Sequence, residues 1–175
     1  MDIIDTTSSN ILEFGICGYK NKKRQGFIEK IEWVKEQAKF GLKIKTLFSK
    51  ESGAQGMIEY IPGKYCWKPV EAPNYMFIHC LFVGHKKEYK NNGHGTKLIE
   101  ACINDAKNQK MSGVAVVARK GSFMANNEIF IKNGFEIVDN AKPDFHLLVK
   151  TIKSTSEKPK FKDNPVGKYA NHMKG

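Results

Sequence analysis

Lys90-Asn91-Asn92-Gly93-His94-Gly95-Thr96 is the stretch of this chain whose residue types and spacing best suit chemistry. Two glycines one residue apart, behind a lysine and ahead of a helical pattern, aim backbone N–H groups at one point. The first-turn amides of a helix have no intrahelical acceptor, and the helix dipole adds partial positive charge there. Such a place binds phosphate. Glycine at 93 and 95 is expected to let the backbone approach an anion closely, where a Cβ would obstruct it. The loop lacks the Gly-Lys-Ser/Thr ending of a nucleotide P-loop. It also lacks the third glycine and later acidic residue of a dinucleotide fingerprint. Taken alone, it could equally be a glycine turn that joins two elements.

The flanking elements decide what the loop can do. Residues 75–83, Tyr-Met-Phe-Ile-His-Cys-Leu-Phe-Val, are aromatic and β-branched, which predicts a strand buried on both faces. After Gly95 the apolar positions are Leu98, Ile99, Cys102, Ile103 and Ala106, the spacing of an amphipathic helix. Further on, residues 114–118 read as a short buried strand. Asn126 reads as the N-cap of a helix over 127–132, and Gly134 as its C-terminal glycine.

Strand, K-x-x-G-x-G-T and long helix together resemble the acetyl-CoA-binding motif of the GNAT N-acetyltransferase superfamily, written Q/R-x-x-G-x-G/A. The downstream stretch ending Lys132-Asn133-Gly134-Phe135 is similar to the family's short helix closing in K-x-G-F, and the two pieces stand in the family's order and spacing. The likeness covers residues 40–150 well and the first forty loosely. It implies an α/β (α+β) fold, with a central mixed, mostly antiparallel sheet of six to seven strands. Helices would flank that sheet, which would splay at its central strand pair.

The resemblance also implies roles. The pantetheine arm of coenzyme A would lie against the backbone of Leu81, Phe82 and Val83, and a backbone N–H near Leu81 would stabilise the tetrahedral oxyanion. The diphosphate would meet the amides of Asn91, Gly93, His94, Gly95 and Thr96, with Lys90 supplying charge. Asn127 and Phe130 would stand near the cofactor, and Tyr65, Cys66 and Trp67 near the acceptor. An alkyl amine, with a pKa of about 10.4, must lose a proton before it attacks. His79 on the central strand and Glu59 on the preceding hairpin are the candidate bases. A histidine in a buried strand is more commonly a packed core residue, and a strand glutamate more commonly a solvated one. Cys80 would permit an acetyl-cysteine route, which a buried, poorly nucleophilic thiol disfavours. One departure stands out. Many family members carry a tyrosine where this chain has Phe130, and phenylalanine has no proton to give a departing thiolate.

The rest of the chain frames these residues. Residues 1–10 are expected to fray, 11–17 to form a first strand and 26–40 an amphipathic helix ended by Gly41. Residues 42–48 and 55–61 are expected to pair as a hairpin, and residues 65–73 to form a loop over the sheet. Residues 135–138 and 146–152 would be a closing pair. The domain would span 1–152, followed over 153–175 by a basic tail that is either a linker or a loosely docked extension, too short for a second domain.

At 175 residues the chain is long enough for one self-sufficient core. Cys17, Cys66, Cys80 and Cys102 show neither metal-ligand spacing nor a disulfide pattern, so neither zinc nor a disulfide is expected. The net charge of +11 is spread out: residues 20–50 carry ten Lys/Arg against three acids, and 150–174 carry seven against two. Neither run interleaves aromatics with base-readable spacing, so a solvated basic surface fits better than a nucleic-acid interface. No apolar stretch is long enough to span a membrane and no signal peptide is evident, which suggests a cytoplasmic protein. The expected activity is acetyl transfer from acetyl-CoA, as co-substrate and without metal, to a primary amine by direct attack. The acceptor could be a small molecule or a peptide, and a homodimer is compatible with the sequence. Two alternatives remain: a CoA-binding protein of the same fold with little catalysis, and a basic nucleic-acid-associated module.

Overall fold

The computed structural model describes residues 1–14, 25–84, 92–120, 124–154 and 157–163. Seven strands form one sheet, and two more form a small second one. In chain order the strands are β1 (Asp2–Thr6), β2 (Lys43–Ser49), β3 (Gly53–Pro62), β4 (Val70–Glu71), β5 (Tyr75–Val83), β6 (Gly113–Arg119), β7 (Glu136–Ala141), β8 (Phe145–Thr151) and β9 (Lys160–Phe161). The helices are α1 (Ile11–Phe14), α2 (Gln25–Ala38), α3 (His94–Asn108) and α4 (Asn127–Lys132). The large sheet runs β1-β2-β3-β5-β6-β8-β7. Every pairing in it is antiparallel except β5 with β6.

Helix α3 buries Leu98, Ile99, Cys102 and Ala106, the stripe expected from its sequence. They pack on Ile58, Tyr60, Met76, Ile78, Val114 and Val116, the residues that three central strands turn to that face. The opposite face is covered in two parts. Helix α2 lays Val34 over Ile44, Met57 and Ile61, while the β4–β9 pair closes over Phe77, Ala115, Val117 and Leu147. Gly41 and Gly134 both take positive φ, +89° and +79°, and terminate α2 and α4 as glycine does at a helix end.

Three expectations need correction. Residues 2–6 are not frayed: they pair with β2, and Thr6 and Thr46 join side-chain hydroxyls at 2.7 Å. Residues 11–14 are a short helix rather than a strand, because the polar run before them turns the chain; Asn10 Oδ1 accepts the Thr7 N–H at 2.7 Å. The remainder of that expected strand, Cys17 included, lies outside the described residues. Third, β5 is fully buried only through Ile78 and partly exposed from His79 onward.

Residues 157–163 include β9, which returns to β4. Lys160–Phe161 pairs with Val70–Glu71, and the Phe161 N–H donates to Asp139 Oδ2 at 2.8 Å.

A polar cluster fastens α3 to the sheet edge. The fully buried Tyr60 donates its hydroxyl to Asp105 Oδ2 at 2.5 Å, with Lys43 Nζ at 3.0 Å and Lys45 Nζ at 3.6 Å. Burial pushes the Asp105 carboxyl up, but the Tyr60 hydroxyl and the two lysines outweigh it and hold it below the ordinary carboxylate range. Asp105→Ala strands the Tyr60 hydroxyl and is expected to cost about 1–3 kcal/mol at pH 7. The folded pKa is depressed, so this contribution is full above the unfolded value of about 3.9 and is lost as pH falls through the folded one. Urea denaturation of both proteins at pH 7 and near pH 3 checks it; the gap between them should shrink in acid.

Candidate functional site

The site is built where β5 and β6 part company. Their parallel register runs from Tyr75↔Gly113 to Ile78↔Val116 and stops there. Strand β5 continues to Val83 alongside β3, and β6 continues to Arg119 alongside β8. Between residues 79–83 and 117–119 the sheet is therefore open, as the expected splay required.

Backbone direction along β5 follows from one hydrogen bond. Gly84 N–H donates to Gln55 O at 2.8 Å, continuing the register Val83↔Gly56, Phe82↔Met57, Leu81↔Ile58. Antiparallel pairs alternate between exchanging both bonds and exchanging none. Gly84, Phe82 and Cys80 thus direct N–H and C=O toward β3, and Leu81 and Val83 direct theirs into the gap. Of the three residues expected along the pantetheine arm, Leu81 and Val83 thus turn their main-chain groups to the gap, while Phe82 turns its backbone to β3 and packs its side chain in the core beneath α2.

At one end of the gap stands the N-terminus of α3. Lys97 N–H makes an α-helical bond to Gly93 O at 3.0 Å, so the amides of His94, Gly95 and Thr96 precede the helical ladder. Gly93 is the N-cap at φ +73° and ψ 5°. A Cβ on Gly93 would meet nothing within 4 Å, so its left-handed backbone is what calls for glycine. At Gly95 a Cβ would lie 2.3 Å from Ile129 Cδ1; α4, rather than an anion, takes up that space. Asn133 ties the helices further, donating to Thr96 Oγ1 at 3.3 Å and to Ile129 O at 2.7 Å. Lys90 and Asn91 lie outside the described residues.

These elements enclose an open cleft of about 750 Å³. Leu81, Val83 and the 93–96 turn form one wall, while Asn126, Ile129 and Lys132 contribute to the other. Sequence reasoning offered Asn126 as an alternative to Asn127 for a hydrogen bond to the cofactor but did not single out Lys132, which lies three residues beyond Ile129 on the same side of α4. Asn127 and Phe130 are not among the lining residues. Phe130 is fully buried in the core beneath α3, and Asn127 Nδ2 meets His146 Nδ1 on β8, so both turn toward the sheet. The cleft fits a diphosphate: it joins amides that precede the helical ladder, an ammonium and His94, whose buried Nδ1 has no partner among the described residues.

His79 marks the other end. Glu59 pairs with Cys80 and Tyr60 with Ile78, so His79 is the extra residue of a β-bulge where β5 leaves β6. Its ring stacks on Trp67 with centroids 3.4 Å apart and planes within 4°. Trp33 meets Trp67 edge-on at 5.0 Å. Both His79 nitrogens are buried, without a hydrogen-bond partner among the described residues. Burial, then the nearby charges of Lys68 and Lys30, push the imidazole well below the usual histidine range, so it is neutral at pH 7. Glu59 is buried and engaged by Lys30 Nζ at 3.0 Å, not a solvated strand residue. Of the three expected acceptor contacts only Trp67 reaches His79. Tyr65 packs against Phe40, and the Cys66 thiol donates to the carbonyls of Lys68 and Val70.

A mixed sheet split at its one parallel pair, with a helix start aimed across the split, defines a class of cofactor-cradling α/β folds. Comparison with known proteins narrows it. No family model matches the chain. It is 35% identical over 166 residues to the uncharacterized N-acetyltransferase YoaP of Bacillus subtilis (strain 168), which covers 93% of this chain. The chain spans 64% of that relative's length. Among solved structures, a GNAT-family acetyltransferase from Staphylococcus aureus Mu50 superposes with TM-score 0.60 at 18% identity, over 87% of this chain and 99% of that one. PaiA N-acetyltransferase from Thermoplasma acidophilum, solved with coenzyme A, gives 0.54 at 17% identity over 86% and 99%. The likeness to these solved structures shows that the chain shares their fold. Among the described residues, no helix is long and apolar enough to cross a membrane.

Proposed function

We propose that this chain transfers an acetyl group from acetyl-CoA to a primary amine. The observation that carries the reading is the open gap between β5 and β6, which joins the α3 N-terminal cleft to the His79 bulge. The diphosphate is held by the amides of His94, Gly95 and Thr96, and Lys132 adds a positive charge. Leu81 and Val83 offer main-chain groups to the pantetheine arm as a neighbouring strand would. Acetyl-CoA supplies an activated carbonyl; the residues of the gap orient it and hold the proton that the amine gives up.

Leu81 N–H donates to the thioester oxygen as negative charge develops there, and a donor so placed contributes about 3 kcal/mol in comparable sites. His79 is the base. A neutral imidazole has a free lone pair, and neither buried ring nitrogen of His79 is taken up by a hydrogen bond among the described residues. Glu59 is the weaker candidate because Lys30 already neutralises it. The amine nitrogen bonds to the carbonyl carbon, the C–S bond breaks, and His79 accepts the amine proton. Solvent returns a proton to the thiolate, a role Phe130 has no group to fill.

Phe130 favours a second reading, in which the protein binds CoA with little turnover. Release of free thiol from acetyl-CoA separates the two, measured with and without a panel of small and peptide amines. Amine-dependent release with a matching acetylated product supports transfer. Binding without release under every amine tested supports the second reading.

A further inference from the structure

The charges around the His79 end of the gap restrict which amine can reach the base. Helix α2 brings Lys30, β3 brings Glu59, and the segment before β4 brings Lys68. Lys30 Nζ lies over the Trp33 ring, 3.9 Å from its centroid, and 3.0 Å from Glu59 Oε2. Lys68 directly follows Trp67, whose ring lies on His79, and the charges of both lysines act on that imidazole. Glu59 is only 5% exposed, and its charge is already met by Lys30. Of the other acids on α2, Glu36 pairs with Lys39, while Glu29 and Glu32 are exposed, where water and salt screen them. Among the described residues, the base therefore stands in positive surroundings. Trp33 and Trp67, both partly exposed, add an apolar wall.

We infer that the acceptor is an amine that also carries a carboxylate, on an apolar or aromatic body, and that Lys68 and Lys30 select it against polyamines. This inference rests on the acetyl-CoA reading and on His79 as the base. A polyamine brings a second ammonium to a place where like charges already stand, and like charge at short range is costly. An amine with its own carboxylate enters as a neutral zwitterion and offers the lysines an anion. Burial pushes the Lys68 ammonium below the usual lysine range, so a carboxylate brought near it recovers part of what burial costs. The same positive charges disfavour the protonated form of the reacting amine, which eases the loss of its proton. The two indoles supply flat apolar area on which the body of the acceptor replaces water.

The test compares phenylalanine, phenylalanine amide and spermidine as acceptors at saturating acetyl-CoA, following both thiol release and the acetylated product. Phenylalanine should exceed its amide in kcat/KM about 10-fold or more, the worth of a hydrogen bond to a charged group. Spermidine should be the poorest of the three. In Lys68→Gln the ratio of phenylalanine to amide should fall towards one, with coenzyme A affinity unchanged. An unchanged ratio in the folded variant overturns the role given to Lys68. Amide or spermidine used as well as phenylalanine overturns the inference and leaves acetyl transfer standing. Binding of acetyl-CoA with no turnover of phenylalanine also overturns it, whether or not other amines react. A folded protein that binds no acetyl-CoA removes the cofactor reading, and this inference with it. Should Lys68→Gln fail to fold, the order of the three acceptors with the wild-type protein decides.

Discussion

Gly93→Asp is expected to weaken coenzyme A binding about 100-fold while the protein remains folded. The N-cap glycine sits at φ +73°, a conformation that Asp and Asn enter more readily than other side chains. Its missing Cβ faces open space, with no atom within 4 Å. A side chain is therefore accommodated without collision and projects at the opening of the cleft. A carboxylate about 5 Å from one phosphate charge, at an effective dielectric of about 20, is repelled by roughly 3 kcal/mol, on the order of a hundredfold in affinity. Gly93→Asn is the control: similar in shape and backbone tolerance, but uncharged, it should retain most of the affinity. Equal losses in Asp and Asn would mean that backbone geometry, not charge, decides binding. Equal retention in both would remove the diphosphate from this turn. Circular dichroism and urea titration verify that each variant is folded.

His79→Ala should lower kcat/KM about 100-fold or more, the usual contribution of a positioned general base, with coenzyme A affinity unchanged. Its effect on stability should be small, because the lost Trp67 stack is offset by removal of two buried, unpartnered nitrogens. The pH dependence distinguishes it further. An unfolded histidine takes up a proton below about 6.5, while the buried ring resists, so the wild-type protein loses stability as pH falls through that value. In His79→Ala that slope should disappear. The acid limb of the wild-type rate should lie below the usual histidine range, because burial and the neighbouring Lys68 and Lys30 keep the base form populated there. A variant that loses several kcal/mol of stability and little rate would make His79 a core residue.

The motif was legible because its signals are local. The apolar run of β5, the glycine turn and the α3 stripe each arise from neighbouring residues, and their order carried the family resemblance. The features that escaped depend on distant partners. Asp2–Thr6 is a strand because β2 is there to pair with it, while the segment that looked more strand-like begins with a helical turn set up by Asn10. The two-residue strands β4 and β9 come from segments far apart in the chain and have no pattern of their own. The bulge at His79 is a property of the register with Glu59 and Tyr60, invisible in β5 alone. It falls where the parallel pairing of β5 with β6 stops. The two glycines of the turn were recognised with an incomplete reason. Gly93 is required by its backbone angle, and Gly95 leaves room for Ile129 rather than for phosphate. Lys132 joins the site only because α4 folds back against the start of α3, which no local reading reveals.

Calorimetric titration of the purified wild-type protein with acetyl-CoA, and separately with CoA, tests the central claim most directly. Saturable one-to-one binding of both, weakened about 100-fold in Gly93→Asp, is the expected result. It would fix the cofactor site and leave the acceptor to be found among amines. A folded protein that binds neither compound would contradict the claim and make the glycine turn a structural joint between β5 and α3.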